Sequence, residues 1–279
     1  MSNRVREWQR RLSGRQRKRV TVDQLYSGDH WSVVRSLHST RFGIEVWVCS
    51  AGYGLVSMRE KITPYSATFS PTHADSVCHN VSDCVESDAP RIWWHQMTAW
   101  KTHANGNPRS LKELAEHFPN RAMLVVASEI YLRAIADDLH AALNAFADPD
   151  LLSIISAGSR TLPGLTGHLV PSDARLQHLV NGARGSLNVR IAAKILAEAR
   201  SVPRRSTLRR KLRRLLAQQP ELQRYDRTRL SDREVRSFIA ASLRKDEKLG
   251  HTRLLRMLRD RGNACEQSRF ASLYREVRG

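Results

Sequence analysis

The sequence predicts an α/β fold: a mostly parallel sheet covered by helices, with a C-terminal basic helical appendage. Three observations carry this expectation. First, the apolar runs in "IEVWVCSAG", "AMLVVASEI" and "LLSIISAGS" have strand length, are rich in β-branched residues and are each stopped by small polar residues. Second, amphipathic helical patterns alternate with these runs, the arrangement that covers a parallel sheet on both faces. Third, beyond Pro203 the chain changes to Arg-rich segments with leucines at helical spacing.

In chain order, residues 1–20 read as a basic N-terminal arm, with eight Arg/Lys against one Glu. The α/β domain is expected over residues 21–202. Within it "DHWSVVRSLHST" reads as a helix before the first strand. The second strand leads into "EIYLRAIADDLHAALNAF", whose Ile130, Leu132, Ile135, Leu139 and Leu143 share a helical face, and the third is followed by the helix "SLNVRIAAKILAEAR". Residues 203–279 read as a basic helical nucleic-acid-binding module. There "RRSTLRRKLRRLLAQQ" puts Leu208, Leu212, Leu215 and Leu216 on one face, and Ser231 and Glu234 have capping-box spacing ahead of "DREVRSFIAASLRK". "HTRLLRMLRDRG" ends on Gly262, a residue suited to a helix C-cap, and "NACEQSRFASLYREV" completes a small helical or helix-turn-helix-like bundle.

Charge narrows the function classes. The net charge of +19 divides into +7 over residues 1–20 and +13 over residues 201–279, so the 180 residues between them sum to −1. A near-neutral body with two basic ends is the footprint of a polyanion partner, because nucleic acid is bound largely through phosphate neutralisation and counterion release. Nucleic acid, DNA or RNA, is therefore the expected partner, a solvated Arg-rich surface the alternative. Arg253, Arg256, Arg259 and Arg269 are the candidate phosphate contacts of the appendage, and Arg184 and Arg190 in "NGARGSLNVR" those of a turn leading into a helix. No apolar run approaches the roughly 18 residues of a membrane span, and the N-terminus lacks the apolar segment of a secretory signal, so a cytoplasmic protein with no membrane partner is expected. Cys49, Cys78, Cys84 and Cys265 are too few and irregular for a disulfide framework, and free thiols are expected.

The strand ends are the place to look for chemistry. Cys49-Ser50-Ala51-Gly52, Ala127-Ser128 and Ser156-Ala157-Gly158-Ser159 each supply a hydroxyl or room for close approach at the carboxyl end of a strand, where open parallel sheets hold ligands. They are expected to converge on one pocket. Taken singly, each is also an ordinary turn.

The stretch "SAGYGLVSMREKITPYSATF" resembles the signature of the YaaA-like proteins, in which a strand leads into Ser-x-x-Tyr-Gly-Leu and then Ile-x-Pro-Tyr. Upstream, "TVDQLYSGDHWSVVRSL" is similar to that family's Leu-Tyr-x-Gly segment; downstream the likeness continues more loosely through "IISAGSR" and "HLVNGARGSLNVRIA", covering about residues 20 to 200. The chain departs from the family at its start, where basic "RRLSGRQRKRV" replaces a strand carrying a Cys-Ser and a Lys. The resemblance implies DNA binding and the handling of deazapurine bases. In its most specific form it implies conversion of 7-cyano-7-deazaguanine in DNA to 7-amido-7-deazaguanine by nitrile hydration, alongside other proteins of a DNA-modification cluster. The alternative is a non-catalytic, protective or regulatory DNA-binding protein. The base would be held by Ser50, Gly52, Tyr53, Gly54, Tyr65, Ser156 and Gly158, the alternative for Tyr53 and Tyr65 being that they pin the loop.

Hydration of a nitrile requires a nucleophile that forms a thioimidate, or a water activated by a base or metal, together with a proton donor to nitrogen. Cys49, at a strand end, is the first candidate nucleophile, and its alternative is a buried apolar role. Cys78 and Cys84 are its rivals, and Asp75 and Asp83 are the candidate bases. No cofactor is expected. Zinc is the competing reading, from His73, Cys78, His79, Cys84 and His95, although their spacings match no Cys-x-x-Cys knuckle.

Overall fold

A computed structural model describes residues 1–14, 18–37, 42–79, 81, 85, 87–100, 106–159, 162–222 and 226–279. The chain forms two compact units, Met1–Pro220 and Glu221–Gly279. Asp83 and Cys84 lie outside the described residues.

The first unit opens with α1 (Ser2–Leu12), β1 (Val20–Thr21), α2 (Val22–Leu25) and α3 (Asp29–Ser36). A hairpin follows, β2 (Trp47–Ser50) and β3 (Gly54–Ser57), then β4 (Lys61–Ile62), α4 (Ala89–Thr98) and α5 (Leu111–His117). The α/β part proper is β5 (Met123–Val126), α6 (Glu129–Ala134), α7 (Ala136–Leu143), β6 (Leu152–Ile155), β7 (Leu169–Val170), α8 (Gln177–Val180) and α9 (Leu187–Glu198), completed by α10 (Arg205–Ala217). The expected single helix after β5 is two, broken at Ile135, whose ψ of 7° leaves the helical range.

Among the described residues the fold is mixed helix and sheet, with small sheets of which some are parallel. β5, β6 and β7 pair in parallel, in the order β5-β6-β7, with Val125 opposite Ile154 and Ile155 opposite Val170. Alternation along β6 divides its side chains. Leu152 and Ile154 enter a core with Tyr53, Trp93, Met97, Leu132, Ile135 and Leu139. Ile155 enters a second core with Val170, Leu187, Ile191, Ile195, Leu208, Leu212 and Leu216 of α9 and α10. Both faces of this short parallel sheet are thus covered, as its continuous apolar strands require.

The first predicted strand does not join that sheet. β2 pairs antiparallel with β3, Cys49 opposite Leu55 and Ser50 opposite Gly54, so the expected mostly parallel sheet is corrected to a parallel sheet and a separate hairpin. The physical reason lies in the turn. Ala51-Gly52-Tyr53 forms a three-residue loop closed by Gly54 at φ +76°, a left-handed conformation that favours glycine and returns the chain into "GLVS" rather than into a crossover helix.

Two boundaries also shift. In the stretch expected as a basic N-terminal arm, α1 buries Val5 and Leu12 and belongs to the first unit. The units divide after Pro220, not before Pro203, because Leu208, Leu212 and Leu216 of α10 complete the second core of the α/β part.

The second unit holds β8 (Thr228–Arg229), α11 (Asp232–Leu243), α12 (His251–Asp260), β9 (Asn263–Ala264) and α13 (Gln267–Arg278). Its core is Val235, Ile239, Leu249, Leu254, Leu255, Leu258, Cys265, Phe270, Leu273 and Tyr274. Ser231 and Glu234 make the expected capping box, and Gly262 follows α12 at φ +77°.

Candidate functional site

The hairpin loop is held rigidly from all sides. Ser50 through Val56 are buried. Trp8 of α1 donates its indole N–H to Gly52 O at 2.9 Å, and Trp93 of α4 donates to Ala51 O at 2.7 Å. Buried Arg109 donates to Tyr53 O and sits 3.5 Å from the carboxylate of Glu60, both side chains being almost wholly enclosed. The Tyr53 hydroxyl accepts from Thr63 N at 3.1 Å and lies 3.2 Å from Thr63 O, which ties the loop to the strand leading to Pro64-Tyr65.

At its centre is a chain of hydroxyls. Ser50 Oγ accepts the N–H groups of Gly52 and Tyr53 at 3.2 and 3.1 Å and lies 2.5 Å from the Tyr65 hydroxyl, which in turn bonds to the Tyr26 hydroxyl. A hydroxyl has two lone pairs and one proton. Since the lone pairs of Ser50 are taken by the backbone, its proton points to Tyr65, and a head-to-tail chain continues from Tyr65 to Tyr26. The O–H left over at the end of the chain is that of Tyr26. Burial pushes the Tyr26 hydroxyl above its ordinary range and the Tyr65 hydroxyl well above it, so both are protonated at neutral pH. Tyr26 is stacked on Trp31 at 4.3 Å with 10° between the rings, and Tyr65 stands edge-on to Tyr26, Tyr53 and Trp8.

The ends of the parallel strands are reached through α3 and α9. Asn188 of α9 accepts Ala157 N–H at 2.7 Å and donates to Ala127 O at 2.9 Å, clamping the carboxyl ends of β5 and β6 together. One turn away, Ser186 Oγ and Arg190 both bond to Asp29 at the start of α3 and hold its carboxyl below the usual range. Asp29 is two residues before Trp31, which stacks on Tyr26. Ser156 and Ser159 share a 2.9 Å bond, and Gly158, at φ +89°, donates to Ser172 O at 3.0 Å.

The predicted site residues fare differently. Ser50, Tyr53 and Tyr65 lie together at the hairpin loop. Gly52 is needed for a reason other than ligand approach: a Cβ there would lie 2.5 Å from the Tyr65 ring, so the space it leaves is filled by that ring. Gly54 serves the turn and backs onto the Met97 backbone. Cys49 is half-buried, and its thiol is pushed up to about 12, by burial first and by the Asp138 carboxylate second, so it is not a thiolate at neutral pH. Cys78 is buried. Asp75 accepts from Ser66 Oγ at 2.6 Å and faces His73 at 3.6 Å. Among the described residues no three His, Cys, Asp or Glu side chains gather as metal ligands.

Three expected phosphate contacts are engaged within the fold. Arg190 is paired with Asp29; Arg259 donates to Cys265 O at 3.1 Å; Arg269 bonds to Asp232 and, at 2.9 Å, to Leu230 O, joining α13 to the start of α11. Arg184, Arg253 and Arg256 are exposed. Sequence patterning passed over Tyr26, Asn188, Asp29 and Arg109 as site residues. Only Tyr26 carried a signal, as the Tyr of Leu-Tyr-x-Gly.

The chain matches no family model, no curated protein and no solved structure.

Proposed function

We propose that the protein is a DNA-modification enzyme of the YaaA-like kind that hydrates the nitrile of 7-cyano-7-deazaguanine in DNA to the 7-carboxamide, the activity of the DpdC protein of bacterial 7-deazaguanine clusters. One observation carries the reading. The three separated segments of the YaaA-like resemblance, Leu25-Tyr26-Ser27-Gly28, Ser50-Ala51-Gly52-Tyr53-Gly54 and Ile62-Thr63-Pro64-Tyr65, contribute one hydroxyl each to a single hydrogen-bonded chain.

The chemistry assigned to this chain is proton delivery. As water adds to the nitrile carbon, forming the C–O bond, nitrogen gains a proton from the Tyr26 O–H, and the chain through Tyr65 to Ser50 supports the developing phenolate. A carboxylate accepts the proton released by water; Asp75, bonded to the residue after Tyr65, is the described candidate. The resulting imidic acid tautomerises to the amide. A thioimidate through Cys49 is disfavoured by its protonated thiol.

The test is incubation of the purified protein with DNA containing the cyano base, followed by digestion and nucleoside mass analysis. The expected result is gain of one water, with Tyr26→Phe retaining DNA binding and losing about 10²–10⁴-fold in rate. Conversion at full rate by Tyr26→Phe would remove the assigned donor. The closure of the loop by the Tyr65 ring over Gly52 favours a second reading, a non-catalytic DNA-binding protein; DNA binding without any conversion would select it.

A further inference from the structure

We infer that the outward face of α10 is a contact surface for the phosphodiester backbone of DNA, built into the α/β unit itself. The inference rests on the reading that the protein's substrate is DNA, and it assigns the surface that grips the strand. α10 carries Arg205, Arg209, Arg210, Lys211, Arg213 and Arg214 with no acidic residue. These cations fall into two sets. Arg205 bonds to Asp150 at 3.3 Å, Arg209 donates to Gly167 O, and Lys211 pairs with Glu198 at 2.9 Å, so this set fastens the helix to the body. Arg210, Arg213 and Arg214 are exposed, and none has an ion pair or hydrogen bond among the described residues.

Their spacing of three and four residues puts all three on one face, opposite Leu208, Leu212 and Leu216. Like charges so placed repel, each pair costing a few tenths of a kcal/mol in an isolated helix. The comparison within the same unit is α1, where Arg10 and Arg11 both bond to Glu7 at 2.8 Å. α10 has no such acid, so beyond solvent screening its repulsion is left for an external anion to relieve. Guanidinium groups fit the paired oxygens of a phosphodiester. A membrane surface is a poor occupant, because the leucines that would enter it are buried in the second core and the outward face has no large apolar side chain.

The test uses duplex DNA of ordinary bases, which separates it from the conversion chemistry. Binding of the full chain is measured by fluorescence anisotropy across a salt series. For Arg210→Gln/Arg213→Gln/Arg214→Gln, the slope of log K against log salt is expected to fall by about 2.7, three contacts at about 0.9 each, and affinity at 0.1 M salt by at least about tenfold. The melting temperature should be retained, since no bond within the fold is lost. Arg253→Gln/Arg256→Gln in α12 serves as a comparison. An unchanged slope in the triple variant, or a loss confined to the α12 pair, overturns the proposal. So does an unchanged DNA slope combined with lost binding to vesicles of phosphatidylserine, which would make the surface a membrane contact. Failure of nitrile conversion with the slope change intact would instead count against the enzymatic reading alone.

Discussion

At the residue scale, the hairpin loop depends on Gly52 for space. Its backbone is not left-handed, yet a Cβ would stand 2.5 Å from two atoms of the Tyr65 ring, whose hydroxyl is fixed at the same time to Ser50 and Tyr26. The ring cannot retreat without breaking both bonds. Gly52→Ala is therefore expected to destabilise the first unit by about 1–3 kcal/mol as overpacking alone, and more as the hydroxyl chain opens. In the Tyr65→Ala background the same change should cost little, because the obstacle is gone. A double-mutant cycle by urea unfolding should give a coupling of about 1 kcal/mol or more, and additive effects would show that the ring moves aside freely. The sequence makes Gly52 and Tyr65 conspicuous through Ser-Ala-Gly-Tyr-Gly and Pro-Tyr, but leaves open whether they face a ligand or form and pin the loop. Which of two neighbours fills a glycine's space is decided by a contact across 13 residues of chain, and no local pattern encodes it. Asn188 is a plainer case: an Asn inside a helical pattern gives no sign that its amide will bridge the ends of two strands.

At the element scale, local signals were legible where the cause of an element is local. The capping box at Ser231 and Glu234, the leucine face of α10 and the apolar runs of β5 and β6 all formed as periodicity requires. The strand that failed to join the parallel sheet failed for a non-local reason: "WVCS" has the composition of a buried strand, and only the second apolar run, "GLVS", after a three-residue turn marks it as half of a hairpin. Charge at helix ends gives a testable case. Glu266 caps α13, and the Ser268 hydroxyl first, then the N–H groups of Arg269 and Ser268 that it accepts, lower its carboxyl from an ordinary 4.5 to about 2. A carboxylate with a depressed folded value contributes stability that is present above its unfolded value and lost as pH falls through the folded one. Protection of the α13 amides against hydrogen exchange, corrected for intrinsic rates, is expected to decline between pH 4.5 and about 2. Glu266→Gln should flatten that window and lower protection at pH 6. Equal pH profiles for the two proteins would mean that the cap contributes nothing.

At the scale of the whole molecule, the sequence divided the chain by charge, whereas the structure divides it by burial. Charge rises at Pro203, but α10 is apolar on the side that matters for folding: Leu208, Leu212 and Leu216 pack with Ile155, Val170, Ile191 and Ile195, and Asp150 accepts Ser206 N–H at 3.0 Å and Ser206 Oγ at 2.7 Å to seat the start of the helix. A basic helix can thus be an integral layer of a near-neutral domain, because its cations occupy the face that packing does not use. Two truncations separate these accounts. A fragment of residues 1–202 exposes the α9 side of the second core and loses three buried leucines, each worth about 1.5–3 kcal/mol, so the total of roughly 5–9 kcal/mol rivals the 5–15 kcal/mol by which a typical domain is stable. A fragment of residues 1–220 keeps every residue of that core. The expected outcome is cooperative thermal unfolding of 1–220 with native near-UV signal from its tryptophans, all six of which lie before residue 101, against an unfolded or aggregating 1–202. The 221–279 fragment, which has its own core from Val235 to Tyr274, is expected to unfold cooperatively by itself. A 1–202 fragment as stable as 1–220 would show that α10 is an appendage after all, and the domain boundary would return to Pro203.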